Sequence, residues 1–176
     1  MRSIFKGSIV LALTVLSAAC GGDSSSAPLA PAGPALSQAG GRASVPFRGS
    51  ISTADKGNVV VPNLEVVGTA EGTATHLGRY TATFLAVAPL GGNTASGSYA
   101  FTAANGDGFV ATFTGAAAPN ALGDLIFTEV LTIVSGTGRF ASATGTFTMT
   151  KTVVVDGPSG TSTGVGTMEG TIQFNR

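Results

Sequence analysis

Few residues in this chain have side chains suited to acid–base or nucleophilic chemistry. Its 176 residues include one histidine, His76, one cysteine, Cys20, and no tryptophan. The only pattern of a catalytic type is 160–164, GTSTG, which fits the G-x-S-x-G motif. A nucleophilic serine in that motif needs a strand before it and a helix after it, whereas a turn precedes Ser162 and a Thr/Gly-rich strand follows. We therefore predict no catalytic residue and no cofactor. One His and one Cys are too few ligands for a zinc site, so we also predict no metal.

Glu129 is the first candidate for ligand binding. It shares its alternation phase with apolar residues that we expect to face an interior, namely Leu125, Phe127, Leu131 and Ile133. A buried carboxylate is costly unless it is paired or hydrogen-bonded. Two interpretations stay open. Glu129 lines a ligand pocket, or it is a structural group that is satisfied by backbone donors, arginine or water, or turned outward by a bulge.

The register expected for the following hairpin decides what lies near Glu129. A hairpin around 136–138 places Gly145 opposite or nearly opposite Glu129, where the missing side chain leaves room for a ligand or for water. Lys151 has the same inward phase on the next strand, but in this register it pairs several residues away, nearer Leu125. The expected register therefore separates the two charged side chains.

Three more candidates lie close together at the start of one predicted strand. His76 and Arg79 stand on either side of Gly78 at the rim, where they would form a polar pair that contacts an anionic or carbonyl ligand. The alternative for His76 is a hydrogen bond to the backbone of its own turn, or simple solvation. Tyr80 belongs to the core or to the wall of a ligand cage. We thus predict Glu129, His76, Arg79 and Tyr80 as ligand-binding residues.

The first twenty residues form a pattern that is typical of an export signal. Arg2 and Lys6 precede the apolar run 9–16, and the small residues 17–19 follow it. The apolar run is too short to span a bilayer as a helix, which takes about 20 apolar residues. Residues 1–19 are therefore predicted to be a signal peptide that is removed from the mature protein.

Cys20 directly follows the small residues, and this arrangement resembles a bacterial lipobox, although Ser17 stands where Leu is common. The resemblance implies that Cys20 is lipidated, becomes the mature N-terminus and anchors the protein in the bacterial cell envelope. Because Gly21 rather than Asp follows the cysteine, the resemblance also implies the outer membrane, with the domain facing the periplasm or the cell surface. The alternative is an ordinary secretory signal in which Cys20 is a chance residue.

Residues 20–43 are predicted to be the lipidated cysteine and a flexible tether. The segment is rich in Gly, Ser, Ala and Pro, and such a composition cannot bury enough apolar surface to offset the entropy of ordering. Charged residues make up 10% of the chain, with Lys+Arg 9 against Asp+Glu 9. So little basic charge predicts no nucleic-acid partner. The predicted partners are the membrane, through the lipid anchor, and a small apolar ligand.

Residues 44–176 are predicted to form a single all-β domain. Runs rich in Thr, Val, Phe and Ile are separated by Gly, Asn, Asp and Pro, as strands and turns require. Eight strands are predicted, at about 44–53, 60–73, 78–89, 94–104, 108–117, 123–135, 140–155 and 162–175. One of the predicted turns is 55–58, DKGN.

Alternation along these strands places aromatic and small residues on one face and mostly threonines on the other. Interleaved large and small side chains suit the interior of a small barrel, and closure removes edges that so few charges would leave unprotected. We predict an eight-stranded antiparallel up-and-down β-barrel, with a two-sheet β-sandwich as the alternative. Apolar residues on the outer face predict a subunit interface or a covering loop: Leu85, Val110, Val130, Val134 and Val154.

A short hairpin pattern resembles one found in allene oxide cyclase and dirigent proteins. It consists of 136–140, GTGRF, followed by Ala143 and Gly145, and is similar to the Gly-Thr-Gly-x-Phe…Ala…Gly hairpin of that family. Residues 75–80 and 103–107 also resemble turns of its bacterial relatives. The resemblance covers most of 60–175 and implies an eight-stranded antiparallel barrel, often trimeric, with a pocket at one mouth. The active-site acids and tyrosines of the plant enzymes have no matching positions here, so the activity is not carried over.

These features predict a membrane-tethered lipoprotein whose barrel binds a small apolar ligand or acts as an oligomeric scaffold. The alternative is an allene oxide cyclase-like or dirigent-like enzyme or guide protein that steers a reactive intermediate by shape, for which one inward glutamate and aromatic walls suffice. A continuous interior cavity on the order of a few hundred Å³ with Glu129 at its wall favours ligand binding or catalysis. An interior filled by phenylalanine favours the scaffold.

Overall fold

The computed structural model of the protein describes residues 43–174. Thr, Val, Phe and Ile alternate with small residues along its strands, because β-branched and aromatic side chains pack well on a pleated surface. The strands are β1 Ser44–Val60, β2 Asn63–Ala74, β3 Gly78–Pro89, β4 Thr94–Ala103, β5 Gly108–Pro119, β6 Leu125–Gly136, β7 Thr144–Asp156 and β8 Thr161–Gln173. The predicted signal peptide, Cys20 and the tether up to residue 42 lie outside the described residues.

Each strand pairs antiparallel with the next one along the chain, and β1 also pairs with β8, so the sheet closes into a barrel. The β1–β8 ladder runs from Ser44 opposite Gln173 to Lys56 opposite Thr161. This confirms the predicted eight-stranded antiparallel barrel and excludes the sandwich. All eight ladders lie within residues 44–173, so this segment forms a closed fold of its own. Within residues 43–174, no helix is both long and apolar enough to cross a membrane.

The first strand continues through the segment that was predicted to be a turn. Asp55 lies opposite Gly68 on β2 and opposite Ser162 on β8. Ladders on both sides of β1 outweigh the low strand preference of the Asp-Lys-Gly-Asn residues, since tertiary pairing overrides intrinsic propensity. The predicted turn at 55–58 is therefore wrong, and the chain turns instead at 61–62.

The connection between β6 and β7 is longer than the predicted hairpin. It contains the short 3₁₀ helix Gly138–Phe140, whose Phe140 side chain is fully buried, and β7 starts only at Thr144. Glu129 consequently lies opposite Met149, and Phe127 lies opposite Lys151. The predicted pairing of Glu129 with Gly145 is wrong, because burial of Phe140 keeps the residues of the connection out of the ladder.

The inward and outward faces follow the predicted alternation. The side chains buried inside include Tyr80, Ala82, Phe84, Phe109, Phe113, Phe147 and Met149. Of the apolar residues predicted to lie outside, Leu85, Val130, Val134 and Val154 are exposed and Val110 is half-buried. The outer wall therefore carries scattered apolar side chains among its threonines.

The two ends of the barrel differ in how they are filled. The packed end carries the start of β1 and the turns 75–77, 104–107 and 137–143, and contacting aromatic rings fill it. Ring centroids there are 4.7 Å apart for Phe47 and Phe147 and 4.9 Å apart for Phe101 and Phe109. The open end carries the turns 61–62, 90–93, 120–124 and 157–160. Glycine and alanine are frequent on the inward face there, at Gly57, Ala86, Ala88 and Ala95, and this leaves space inside.

Candidate functional site

A cavity of about 320 Å³ lies inside the barrel at its open end. Most of its wall is apolar, and the side chains there include Leu64, Val66, Phe84, Ala86, Ala95 and Phe127. Its polar wall residues are Asp55, Glu129, Lys151, Thr161 and Ser162. We call this space the barrel cavity. An apolar enclosure with a few polar groups is the usual composition of a small-molecule site.

Two larger depressions, of about 780 and 660 Å³, lie on the outer wall of the barrel. Outward side chains of neighbouring strands, such as Ser52, Glu71 and Thr81, line both of them and are exposed. These depressions are shallow grooves between solvated side chains. The barrel cavity is smaller, but it is the space that encloses buried charged groups, and we take it as the candidate site.

Three inward side chains form a buried polar triad, and two of them, Glu129 and Lys151, line the cavity. Lys151 Nζ on β7 lies 3.0 Å from Glu129 Oε1 on β6 and donates a 2.7 Å hydrogen bond to the hydroxyl of Tyr99 on β4. That hydroxyl donates in turn to Glu129 Oε2 at 3.2 Å. All three residues are buried, and Tyr99 is fully so. Each charge therefore has partners within the protein.

Two features of the strands position the triad: the register between β6 and β7, and the close contact of Gly115 on β5 with Glu129. Lys151 lies opposite Phe127, two residues from Glu129 on the same inward face, so the two side chains meet diagonally. Gly115 on β5 lies opposite Glu129, and a Cβ there would come within 2.8 Å of Glu129 Cγ. The absence of a side chain at Gly115 makes room for the carboxylate.

Electrostatics hold the phenol of the triad in its protonated form. Burial, together with the negative charge of Glu129 and the hydrogen bond to it, raises the pKa of Tyr99 far above its ordinary value. Lys151 Nζ also lies 5.3 Å from the ring centre of Phe84 and 5.6 Å from that of Phe127, within range of cation–π attraction. The ammonium group is thus held by one carboxylate, one phenol and two aromatic faces.

Asp55 and Ser162 form a second polar pair, on adjacent strands of the cavity wall. The Ser162 hydroxyl donates to Asp55 Oδ1. The serine of the GTSTG pattern is thus engaged with a carboxylate at the start of β8, and a strand rather than a helix follows it. The nucleophile-elbow geometry is not formed there.

The other predicted ligand-binding residues lie away from Glu129, at the packed end. His76 is exposed in the turn between β2 and β3 with φ +64°, and its ring meets that of Phe174 edge-on at 5.6 Å. Arg79 is exposed on the outer wall. Tyr80 is buried and donates a 2.9 Å hydrogen bond to the Ser50 carbonyl, and burial raises the pKa of its phenol. The structure therefore does not bring these three residues together with Glu129.

Sequence reasoning missed two members of the site and one contact. Tyr99 lies on the inward face of β4 with Phe101, and that shared phase was a usable signal. Asp55 was assigned to a turn, although it continues the inward phase of Ile51 and Thr53. The contact between Lys151 and Glu129 depends on the register, which the 3₁₀ helix shifts. Within residues 43–174, no three His, Cys, Asp or Glu side chains gather as a metal site requires.

The protein is thus an eight-stranded antiparallel barrel with an interior cavity and a buried polar triad. Comparison of the chain with protein-family models, with curated proteins and with solved structures finds no match.

Proposed function

We propose that this protein is a lipid-anchored binding protein that holds a small, mainly apolar molecule in the barrel cavity. The observation that carries the proposal is the cavity itself. Its volume of about 320 Å³ lies at the lower end of the range for small-molecule sites, roughly 300–1,000 Å³. In a barrel that served only as a scaffold, we expect side chains to fill the interior instead of a cavity beside three buried polar groups.

The cost of the triad supports the same proposal. Removing two opposite charges from water costs several kcal/mol per ion, and well-packed apolar residues often replace such a pair without loss of stability. Stability of the fold alone is therefore a weak explanation for a buried ion pair of Lys151 and Glu129. Ionisable groups that are buried at the wall of a cavity are typical of functional sites.

The described chain enters the barrel at the end that does not hold the cavity. The described chain enters the barrel at the packed end with Ser44, and the barrel cavity lies at the other end. If residues 20–43 are the tether, it joins the barrel at the end opposite the cavity.

The test is to fill the cavity with a side chain and measure binding of a neutral apolar probe. Ala95 faces the barrel cavity, and Ala100 lies on the outer face of the same strand, β4. N-phenyl-1-naphthylamine should become fluorescent on binding to the native barrel and to Ala100→Phe, but not to Ala95→Phe. Equal fluorescence of both variants would place the binding elsewhere and overturn the proposal.

A second candidate is the enzyme or guide protein of the allene oxide cyclase or dirigent kind, which steers a reactive intermediate. The observation that favours it is the protonated Tyr99 phenol beside Glu129 and Lys151, which is a set of groups able to donate and accept protons. Incubation with reactive apolar intermediates should then give a different product ratio with native protein than with Glu129→Gln. Identical ratios would leave the binding protein as the better proposal.

A further inference from the structure

The charges of the barrel cavity do not cancel. Lys151 is the one cation among the described residues that line it, and its ammonium already pairs with Glu129 at 3.0 Å. Asp55 lines the same cavity, and its carboxylate accepts a hydrogen bond from the hydroxyl of Ser162. Within residues 43–174 the ion pairs are those of Arg48 with Glu169, Arg139 with Asp107, and Lys151 with Glu129. Asp55 therefore faces the cavity without a countercharge from any residue of 43–174.

Asp55 lines the barrel cavity together with apolar side chains, among them Leu64 and Val66. On the neighbouring strand, Gly68 allows Asp55 and Phe84 to pack closely, since a Cβ there would lie 2.5 Å from Asp55 Cβ and 2.6 Å from Phe84 Cζ. The Asp55 side chain and the aromatic ring are thus neighbours at this wall.

The charged side chains around the open end are mostly negative, as Asp55 is. The further carboxylates of this end are Glu65, Asp124 and Asp156, whereas Lys56 is its one outward cation within residues 43–174. Charges of one sign around a cleft concentrate ligands of the opposite sign and repel ligands of the same sign. An incoming carboxylate would be desolvated next to Asp55, whereas an ammonium would gain an ion pair there.

We infer that the barrel cavity selects apolar amines, protonated at neutral pH, over apolar carboxylates, and that Asp55 is the residue that binds the ammonium group. This inference rests on the proposed binding function and adds the chemical class of the ligand. The alkyl or aryl part of the ligand lies against the apolar wall, and the Lys151–Glu129 pair stays intact on the inner side.

The experiment compares three eight-carbon ligands that differ only in their head group. Octylamine, octanol and octanoate compete at neutral pH with N-phenyl-1-naphthylamine for the barrel, residues 43–176. A hydrogen-bonded ion pair of this kind should make octylamine displace the probe at about tenfold lower concentration than octanoate, with octanol between them. In Asp55→Asn, the concentrations of octylamine and octanoate that displace the probe should differ by no more than about threefold.

Glu65→Gln is the matched control, because it removes one negative charge from the same end on the outer face of β2. It should keep the preference for the amine. Asp55→Glu, which retains the charge, should keep it as well. If Asp55→Asn does not fold, as judged by circular dichroism, Asp55→Ser removes the charge with a smaller polar side chain and is compared instead.

Each outcome has one meaning. Displacement by all three ligands at equal concentration, or best by octanoate, overturns the selection of amines while the proposed binding function stands. A preference for the amine that survives Asp55→Asn overturns the role of Asp55. Failure of the probe and of every ligand to bind native protein overturns the proposed function itself.

Discussion

At the scale of single residues, the ion pair of Lys151 and Glu129 has an exposed counterpart of the same length. The two pairs span 3.0 Å each, but the side chains of Arg48 and Glu169 are 69% and 73% exposed, against 6% and 3% for Lys151 and Glu129. Exposed pairs contribute about 0–1 kcal/mol because water and salt screen them. Removing one partner of a buried pair costs about 3–5 kcal/mol, since the other charge is left alone.

Lys151→Met should therefore lower the free energy of unfolding by about 3–5 kcal/mol, whereas Arg48→Met should lower it by less than about 1 kcal/mol. The double variant Lys151→Met with Glu129→Met should recover part of the loss, because no isolated charge then stays buried. Urea denaturation at neutral pH measures all three. A Lys151→Met protein as stable as Arg48→Met would contradict the burial of the pair.

The two tyrosines give a pH-dependent readout of the same interior. Tyr80 and Tyr99 are the only tyrosines of the chain, and burial raises the pKa of both phenols. An unfolded tyrosine ionises at a pH of about 10. Above that pH the unfolded state releases protons that the folded state keeps, so stability is full below about pH 10 and falls as the pH rises further.

The absorbance of tyrosinate during an alkaline titration measures the ionisation of Tyr80 and Tyr99. The native barrel should show no tyrosinate until it unfolds, whereas the chain in denaturant should ionise with a midpoint at a pH of about 10. Reversible ionisation of either tyrosine near that pH, with the circular dichroism of the barrel unchanged, would mean that its phenol is solvated.

At the scale of strands, the contact between β5 and β6 beside Glu129 depends on a missing side chain. A Cβ at Gly115 would lie 2.7 Å from the Thr128 carbonyl oxygen and 2.8 Å from Glu129 Cγ, whereas a Cβ at Gly157 would meet nothing within 4 Å. Both changes from Gly to Ala restrict the unfolded chain alike. The difference in stability between the two variants therefore measures how much room β5 and β6 leave for a methyl group at Gly115.

Gly115→Ala should lower the free energy of unfolding by about 1–3 kcal/mol through overpacking, and Gly157→Ala should change it by no more than about 0.5 kcal/mol. Thermal or urea unfolding of the two variants measures this difference. Equal stability of the two proteins would show that β5 and β6 have room for a methyl group beside Glu129.

The strand pattern also shows what could be predicted from the sequence. Faces followed from alternation, since a strand with Tyr80, Ala82 and Phe84 on one side and threonines on the other has one orientation that buries the rings. Closure followed from the scarcity of charged residues to protect open edges. Register did not follow, because it depends on Phe140 entering the core and taking residues 137–143 out of the ladder. Asp55 was missed because its neighbours Lys56, Gly57 and Asn58 are typical of turns.

At the scale of the whole molecule, the proposed anchor requires Cys20. The native protein should be found with the membrane fraction of its cell, and Cys20→Ala should leave it, because two or three acyl chains bind a bilayer firmly at about 0.8 kcal/mol per buried CH₂. Fractionation followed by immunoblotting measures this. A Cys20→Ala protein that stays with the membrane would contradict lipid anchoring at this residue. The homo-oligomer suggested by the apolar outer wall stays a prediction.

The proposed function depends most on the entry of an apolar molecule into the barrel at its open end. Backbone amide chemical shifts of the isotope-labelled barrel, recorded during titration with octanol, test this residue by residue. We predict the largest shifts at cavity positions such as Ala86, Ala95 and Phe127, with Phe47 and Phe109 at the packed end unchanged. Shifts confined to outer-wall positions such as Ser52 and Thr81, or no shifts at all, would contradict it.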